Sequence, residues 1–131
     1  MTMIRGIIIG HEAFAETMLR TAEGIVGKQK LVDVISNSGM SCSILNDRIE
    51  KMLGQNKTNE TIVFVDLPGG SCAISCYGVL RNIPDLNVVC GINLPVLIEF
   101  FMLREKYQAQ ELVPILVKKG RESIFRMEQK K

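Results

Sequence analysis

The sequence predicts an α/β fold: an open, doubly wound, mainly parallel sheet with strand order 2-1-3-4 and helices on both faces. Three observations carry that expectation. Four short runs rich in Ile and Val are apolar almost throughout, which is the pattern of strands covered on both faces. Each run is followed by a longer segment of helical period, and that alternation calls for parallel strands joined by right-handed crossovers. At 131 residues and 47% hydrophobic content, the chain suits one domain over residues 1–131 with a single core.

The first run, "MIRGIII", leads into "HEAFAETMLRTAEGIVG", where Phe14, Met18 and Ile25 fall on one side of a helix and Gly27 suits its end. The second, "LVDVIS", is followed by "SCSILNDRIEKMLGQ", with Ile44, Leu45, Ile49 and Met52 on one side and Gly54 near its end. The third, "TIVFVD", runs into "LPGGSCAISCYGVLRNIPD": its glycines form a turn and the remainder a helix that stops before Pro84. After the fourth, "LNVVCGI", come "NLPVLIEFFMLREKY", where Pro95 suits a first helical turn, and a long terminal helix over "AQELVPILVKKGRESIFRMEQ". Pro114 either starts or kinks that last helix, and the sequence leaves both open.

Composition removes several classes of function. The net charge is +2, and the basic residues gather at the C-terminal end in Lys118, Lys119, Arg121, Arg126, Lys130 and Lys131, beside Glu122 and Glu128. That mixture is a solvated helix face rather than a nucleic-acid surface, and 5% aromatic content offers little for stacking bases. No basic segment precedes a long apolar one, and no apolar stretch reaches the roughly 18–20 residues that cross a bilayer. A cytoplasmic protein without direct membrane insertion is expected.

Four cysteines stand at Cys42, Cys72, Cys76 and Cys90 with no C-x-x-C pair, and there is one histidine in the chain. No metal site follows from that set, and reduced thiols that pack as small hydrophobes are expected. "HEAFA" lacks the second histidine of a zincin helix. "GGSCA" lacks the trailing glycine of a nucleophile elbow, so a hydrolase built on Ser71 is a weak alternative. Cys72 as a nucleophile rests only on its place near a helix start.

The loops carry the chemistry. In open α/β sheets, ligands sit beyond the carboxyl ends of strands, where the strand order reverses. With order 2-1-3-4, the loops after strands 1 and 3 share that crevice. The first holds His11 and the second holds "DLPGGS", with Asp66 at the strand end and Ser71 at a helix start. An aspartate that accepts a hydrogen bond from one imidazole nitrogen fixes the tautomer and leaves the other lone pair free as a nucleophile. Gly69 and Gly70 let the backbone approach a ligand, and helix N–H groups with the Ser71 hydroxyl can receive an anion. A free imidazole, with a pKa of about 6.5, is largely neutral near pH 7, as a phosphoryl acceptor must be. Taken singly, a lone histidine is ordinarily a surface or satisfied residue, and "DLPGGS" an ordinary turn. Their shared position at the switch point favours a site.

These residues, together with Ala15, "VFVDLPGGS", "VVCGINLPVLIE" and "KKGRESI", resemble the enzyme IIA component of the mannose-type branch of the bacterial sugar phosphotransferase system over essentially the whole chain. The resemblance implies a phosphotransferase component with a phosphohistidine at His11, on Nε2. It further implies that Asp66 orients the ring and that Ser71, with Gly69 and Gly70, holds the phosphoryl group. Phosphate would come from HPr and pass to enzyme IIB, without a cofactor, within a homodimer whose subunits exchange C-terminal segments. Two positions depart from the family pattern. Glu12 stands where glycine is usual and Cys72 where proline often follows "GGS". The chain is read as a free-standing IIA or a fragment of a longer protein. The alternative function is a IIA-like regulatory domain of a transcriptional activator, phosphorylated on the same histidine.

Overall fold

Ile7, Ile8 and Ile9 are fully buried, because the strand that carries them lies inside two layers of helix. The computed structural model describes residues 2–130, so Lys131 of the basic C-terminal group lies outside them. Its elements run β1 (Arg5–Gly10), α1 (Phe14–Val26), β2 (Val32–Ser36), α2 (Cys42–Gly54), β3 (Thr61–Val65), α3 (Ser71–Asn82), β4 (Asn87–Cys90), α4 (Leu94–Leu103) and α5 (Ala109–Glu122). The four strands are parallel in the order β2-β1-β3-β4, as the alternation of runs predicts.

Strand alternation divides the core. Ile8, Ile62, Phe64 and Val89 face a layer built from α1, α4 and α5, with Phe100, Leu112 and Leu116 packed onto them. Ile7, Ile9, Val63 and Val65 face α2 and α3, meeting Leu45, Ile49, Cys76 and Val79. The inner strands β1 and β3 therefore read as continuous apolar runs, whereas β2 and β4, at the edges, are only partly buried.

Local chemistry sets the helix ends. Ser41 accepts the Ile44 N–H at 3.2 Å to start α2, and Asn93 accepts the Val96 N–H at 3.2 Å to start α4, with Pro95 in its first turn. Gln108 and Glu111 form a capping box on α5. Pro114 lies inside α5, which continues past it. Pro114 and Gln110, whose carbonyl it leaves without a donor, are both exposed, so water can take the missing partner's place.

Buried Arg104, at the end of α4, closes the opposite edge of the sheet. Its guanidinium donates to the carbonyls of Ile4, Leu31 and Lys30 and to Gln29 Oε1, and it lies against the Phe100 and Phe101 rings. This clasp holds the turn before β2, where Leu31 has a left-handed φ of 50°.

Two sequence expectations need correction. The terminal helix stops at Glu122, and residues 123–130 are neither helix nor strand. Ile124, Phe125 and Met127 are exposed, so a further turn there would bury little of their apolar surface. Ile25 and Ile44 are exposed rather than in the core faces of their helices, since only a narrow stripe of each helix meets the sheet. Gly54 is the last residue of α2, at the helix end as expected, and the cap at Gln55 stays right-handed and bonds back to Lys51 and Met52. Ser71 stands at a helix start as expected: Gly70, with extended φ and ψ, is the N-cap of α3 and Ser71 its first helical residue. Among the described residues, no helix is long and apolar enough to cross a membrane.

Candidate functional site

Three loops converge at the carboxyl edge of the sheet, and the pairing of β1 with β3 fixes their relation. Ile9 lies opposite Val65, and the Asp66 N–H donates to the Ile9 carbonyl at 3.2 Å. His11 and Asp66 thus leave the two strands side by side. Asp66 Oδ2 accepts the backbone N–H of His11 and the ring Nδ1–H, each at 2.8 Å, while Oδ1 accepts the Leu67 N–H at 2.8 Å. The Asp66 side chain is 5% exposed and that of His11 36%. A carboxylate only accepts, so Nδ1 carries the ring proton and the Nε2 lone pair faces outward.

The floor under the ring is Gly70. A Cβ there would come within 2.8 Å of His11 Cε1 and 3.2 Å of Nε2, so the ring lies directly against bare backbone. The preceding Gly69 has φ 83°, which favours glycine. Ser71 Oγ lies 3.4 Å from Nε2. Among the described residues no side chain caps α3, and the first N–H groups of a helix have no partner inside it. Beside the imidazole there is therefore a hydroxyl, a set of backbone donors and the positive end of a helix dipole, which together suit an anion.

The structure brings His11, Asp66, Gly70 and Ser71 into contact and places Gly69 in the same turn. Asn37, in the loop after β2, joins them. Its backbone N–H donates to the Gly10 carbonyl at 3.1 Å and its Nδ2 to Ser71 Oγ at 2.9 Å. Sequence reasoning missed it, although a signal existed. The second strand neighbours the first, so the loop "SNSG" has to open on the same edge.

Cys72 Sγ packs 3.8 Å from Nδ1 and is fully buried. Burial first, and the Asp66 charge second, push its thiol up to about 11. It stays protonated at neutral pH, which removes it as a thiolate nucleophile. Nδ1, an Asp66 oxygen and Cys72 Sγ lie within 4.8 Å of one another, near enough for a soft cation. Such an ion would have to displace both the ring proton and the thiol proton. All four cysteines are free, and Cys90 is the exposed one.

Glu12 has φ 49°, in the left-handed region, and is exposed. The usual family glycine at this position thus has a backbone reason. A cleft of about 540 Å³, lined by Glu50, Lys57, Glu60 and Asp85 among others, opens near the amino ends of β3 and β4, away from His11. An open apolar recess of Ala13, Phe14, Thr17, Met18, Thr21 and Leu94 runs along α1 from two residues beyond His11.

Comparison with known proteins agrees with this fold. The family described as "PTS system fructose IIA component", EIIA-man, matches residues 6–117. The mannose-specific EIIAB component of Escherichia coli K12 is 32% identical over 126 residues, which cover 93% of this chain and 39% of that protein. The chain spans well under half the length of that relative. The crystal structure of the phosphotransferase system component EIIA from Streptococcus agalactiae superposes with a TM-score of 0.86 at 27% identity, covering 95% of this chain and 97% of the other. The sigma-54 interaction domain protein from Enterococcus faecalis shares the fold, with a TM-score of 0.75 at 13% identity over 93% of each chain.

Proposed function

The chain belongs to the EIIA-man family of phosphotransferase-system components, and we propose on that premise that it is a phosphoryl carrier that takes phosphate from phospho-HPr on His11 and passes it to enzyme IIB for sugar uptake. The observation that carries this reading is the Nδ1–H bond to Asp66 Oδ2, which leaves Nε2 without a proton of its own, beside Ser71 and the start of α3.

In the first transfer, Nε2 attacks the phosphorus of phosphohistidine on HPr. The new N–P bond forms as the old one breaks, and the bonding pair returns to the HPr ring. The positive charge that develops on the His11 ring is steadied by Asp66, while Ser71, Gly69, Gly70 and the first N–H groups of α3 receive the phosphoryl oxygens. In the second transfer a histidine of enzyme IIB attacks, and His11 leaves with its electron pair, still held at Nδ1. In-line transfer of this kind depends on positioning and charge more than on covalent machinery, and it uses neither metal nor nucleotide as written. A half-exposed ring near an apolar recess along α1, rather than inside an enclosed cavity, suits a phosphoryl group carried in by another protein.

The same reading makes residues 1–131 one IIA domain working in the cytoplasm as a homodimer whose subunits exchange C-terminal segments. Two features support the exchange: β4 ends the sheet with one unpaired side, and Ile124, Phe125 and Met127 are exposed beyond α5. A second reading, the regulatory domain of a transcriptional activator phosphorylated on His11, has the support of fold alone through the Enterococcus faecalis protein.

Incubation with enzyme I, HPr, enzyme IIB and labelled phosphoenolpyruvate tests both. An acid-labile label on the parent protein, none on His11→Ala, and chase of the label into enzyme IIB are expected. Stoichiometric label on His11→Ala would overturn the carrier reading at its nucleophile. Label that stays on the chain when IIB is present would favour the regulator.

A further inference from the structure

We infer that Asn37 is a positioning residue of the transfer site that acts through the Ser71 hydroxyl, an inference that rests on the carrier reading. Asn37 is tied to the site at both ends. Its backbone N–H donates to the Gly10 carbonyl, one residue before His11, at 3.1 Å, and its own carbonyl accepts the Met40 N–H at 3.0 Å. Gly39, with φ 72°, completes that turn. From this anchored backbone, Nδ2 donates to Ser71 Oγ at 2.9 Å.

The chemistry follows from what a serine hydroxyl can do. It has one proton and two acceptor lone pairs. With one lone pair occupied by the Asn37 amide, the proton must point away from Asn37. The acceptor on that side is His11 Nε2, 3.4 Å from Oγ, because Nδ1 already carries the ring proton. In the free protein the Ser71 proton therefore rests on the lone pair that has to attack. Once phosphorus is bound to Nε2, that lone pair is gone and the same O–H is free to donate to a phosphoryl oxygen. Asn37 keeps Oγ in place while its proton changes acceptor. Without the amide, the hydroxyl is free to choose another rotamer, and the donor is then present in only part of the population.

Single-turnover transfer from phospho-HPr is compared for the parent, Asn37→Ala, Ser71→Ala and the double variant. Ser71→Ala is expected to slow transfer by roughly ten- to a hundredfold, as for a bond to a charged oxygen. Asn37→Ala is expected to slow it by about three- to tenfold in the parent, the scale of one neutral hydrogen bond. In the Ser71→Ala background its effect should shrink below about twofold, the coupling expected of a residue that acts through another. A merely structural role would lower the thermal midpoint and the rate alike in both backgrounds. Asn37→Asp keeps the shape but puts an acceptor where the donor was, drawing the Ser71 proton away from His11. It should fold like the parent by circular dichroism and transfer more slowly than Asn37→Ala. Equal losses in both backgrounds, or a folded Asn37→Asp with parental transfer, would overturn the inference and leave the carrier reading standing. A parent protein that takes no phosphate would overturn both.

Discussion

A single oxygen of Asp66, Oδ2, accepts both the backbone N–H and the ring Nδ1–H of His11, each at 2.8 Å. The residue thereby fixes where the histidine backbone lies and which tautomer its ring adopts. Asp66→Asn keeps one oxygen but loses the charge that would steady an imidazolium. Transfer should slow by roughly ten- to a hundredfold, on the order of 1.5–3 kcal/mol for a charge-assisted bond. Nitrogen NMR of the ring should show a larger Nε2–H population. Parental transfer with an unchanged circular dichroism spectrum would remove Asp66 from the mechanism.

Gly70 offers a test of the ring's support. Its φ of −87° and ψ of 176° are open to alanine, so the backbone need not move. The added methyl would meet His11 Cε1 at 2.8 Å and force the ring off Asp66. Gly70→Ala should therefore lose more than about tenfold in transfer while stability changes by about 1 kcal/mol or less. Equal transfer by the variant and the parent would show that the ring has room to spare.

Glu12 holds a left-handed backbone that glycine adopts without strain. Glu12→Gly should stabilise the fold by about 0.5–1 kcal/mol in urea denaturation. It also removes a carboxylate next to the residue that receives an anion, so transfer from phospho-HPr should quicken, more clearly at low salt. Slower transfer would instead give this carboxylate a part in partner recognition.

The buried thiols predict an alkaline loss of stability. Folding raises Cys72 from 9.0 to about 11 and Cys76 from 9.0 to about 12, burial being the main cause in each. The stabilising contribution is complete below 9.0, where both states hold their protons. Above it the unfolded chain releases protons that the folded chain keeps, so stability falls as pH rises towards about 11 and then about 12. Cys72→Ala and Cys76→Ala should each flatten that decline when urea midpoints are followed from neutral to alkaline pH. An unchanged slope in both would exclude the thiols as its source.

Arg104 predicts a stability effect with no direct part in transfer. Removing its guanidinium strands the Ile4 and Lys30 carbonyls and leaves the Leu31 carbonyl with the Gly6 N–H alone. Arg104→Ala should cost on the order of 3–5 kcal/mol in equilibrium unfolding. Arg104→Lys should recover only part of this, since one ammonium cannot reach acceptors spread along the turn. A change of less than about 1 kcal/mol would mean that water replaces the clasp.

The sheet was legible in the sequence because β1 and β3 are covered on both faces, and the unbroken apolar runs at 7–9 and 62–65, Ile and Val with Phe64, leave few other readings. Strand order alone then brings the His11 and Asp66 loops together. What escaped was decided by partners distant in the chain. Ile25 and Ile44 have the right period for burial, yet no neighbouring element covers them. "SIFRMEQ" has helical composition, but its Ile124, Phe125 and Met127 stay exposed. Asn37 looks like any polar turn residue, and only the meeting of the β2 and β3 loops gives it Ser71 as a partner.

The register of Ile9 against Val65 has a consequence for how such a domain can change over evolutionary time. The spacing of His11 and Asp66 is inherited from a strand ladder, so the segments between strands can lengthen, shorten or be exchanged among relatives without disturbing it. The ladder itself has no such latitude. One residue inserted in β1 or β3 would shift His11 along the sheet by about 3.3 Å relative to Asp66, beyond the reach of their hydrogen bonds. It would also turn the side chains beyond it to the opposite face. The smallest transplantable part of this molecule is therefore a pair of adjacent strands with the residue or two beyond each, and a graft that carried the loops alone would arrive without its geometry.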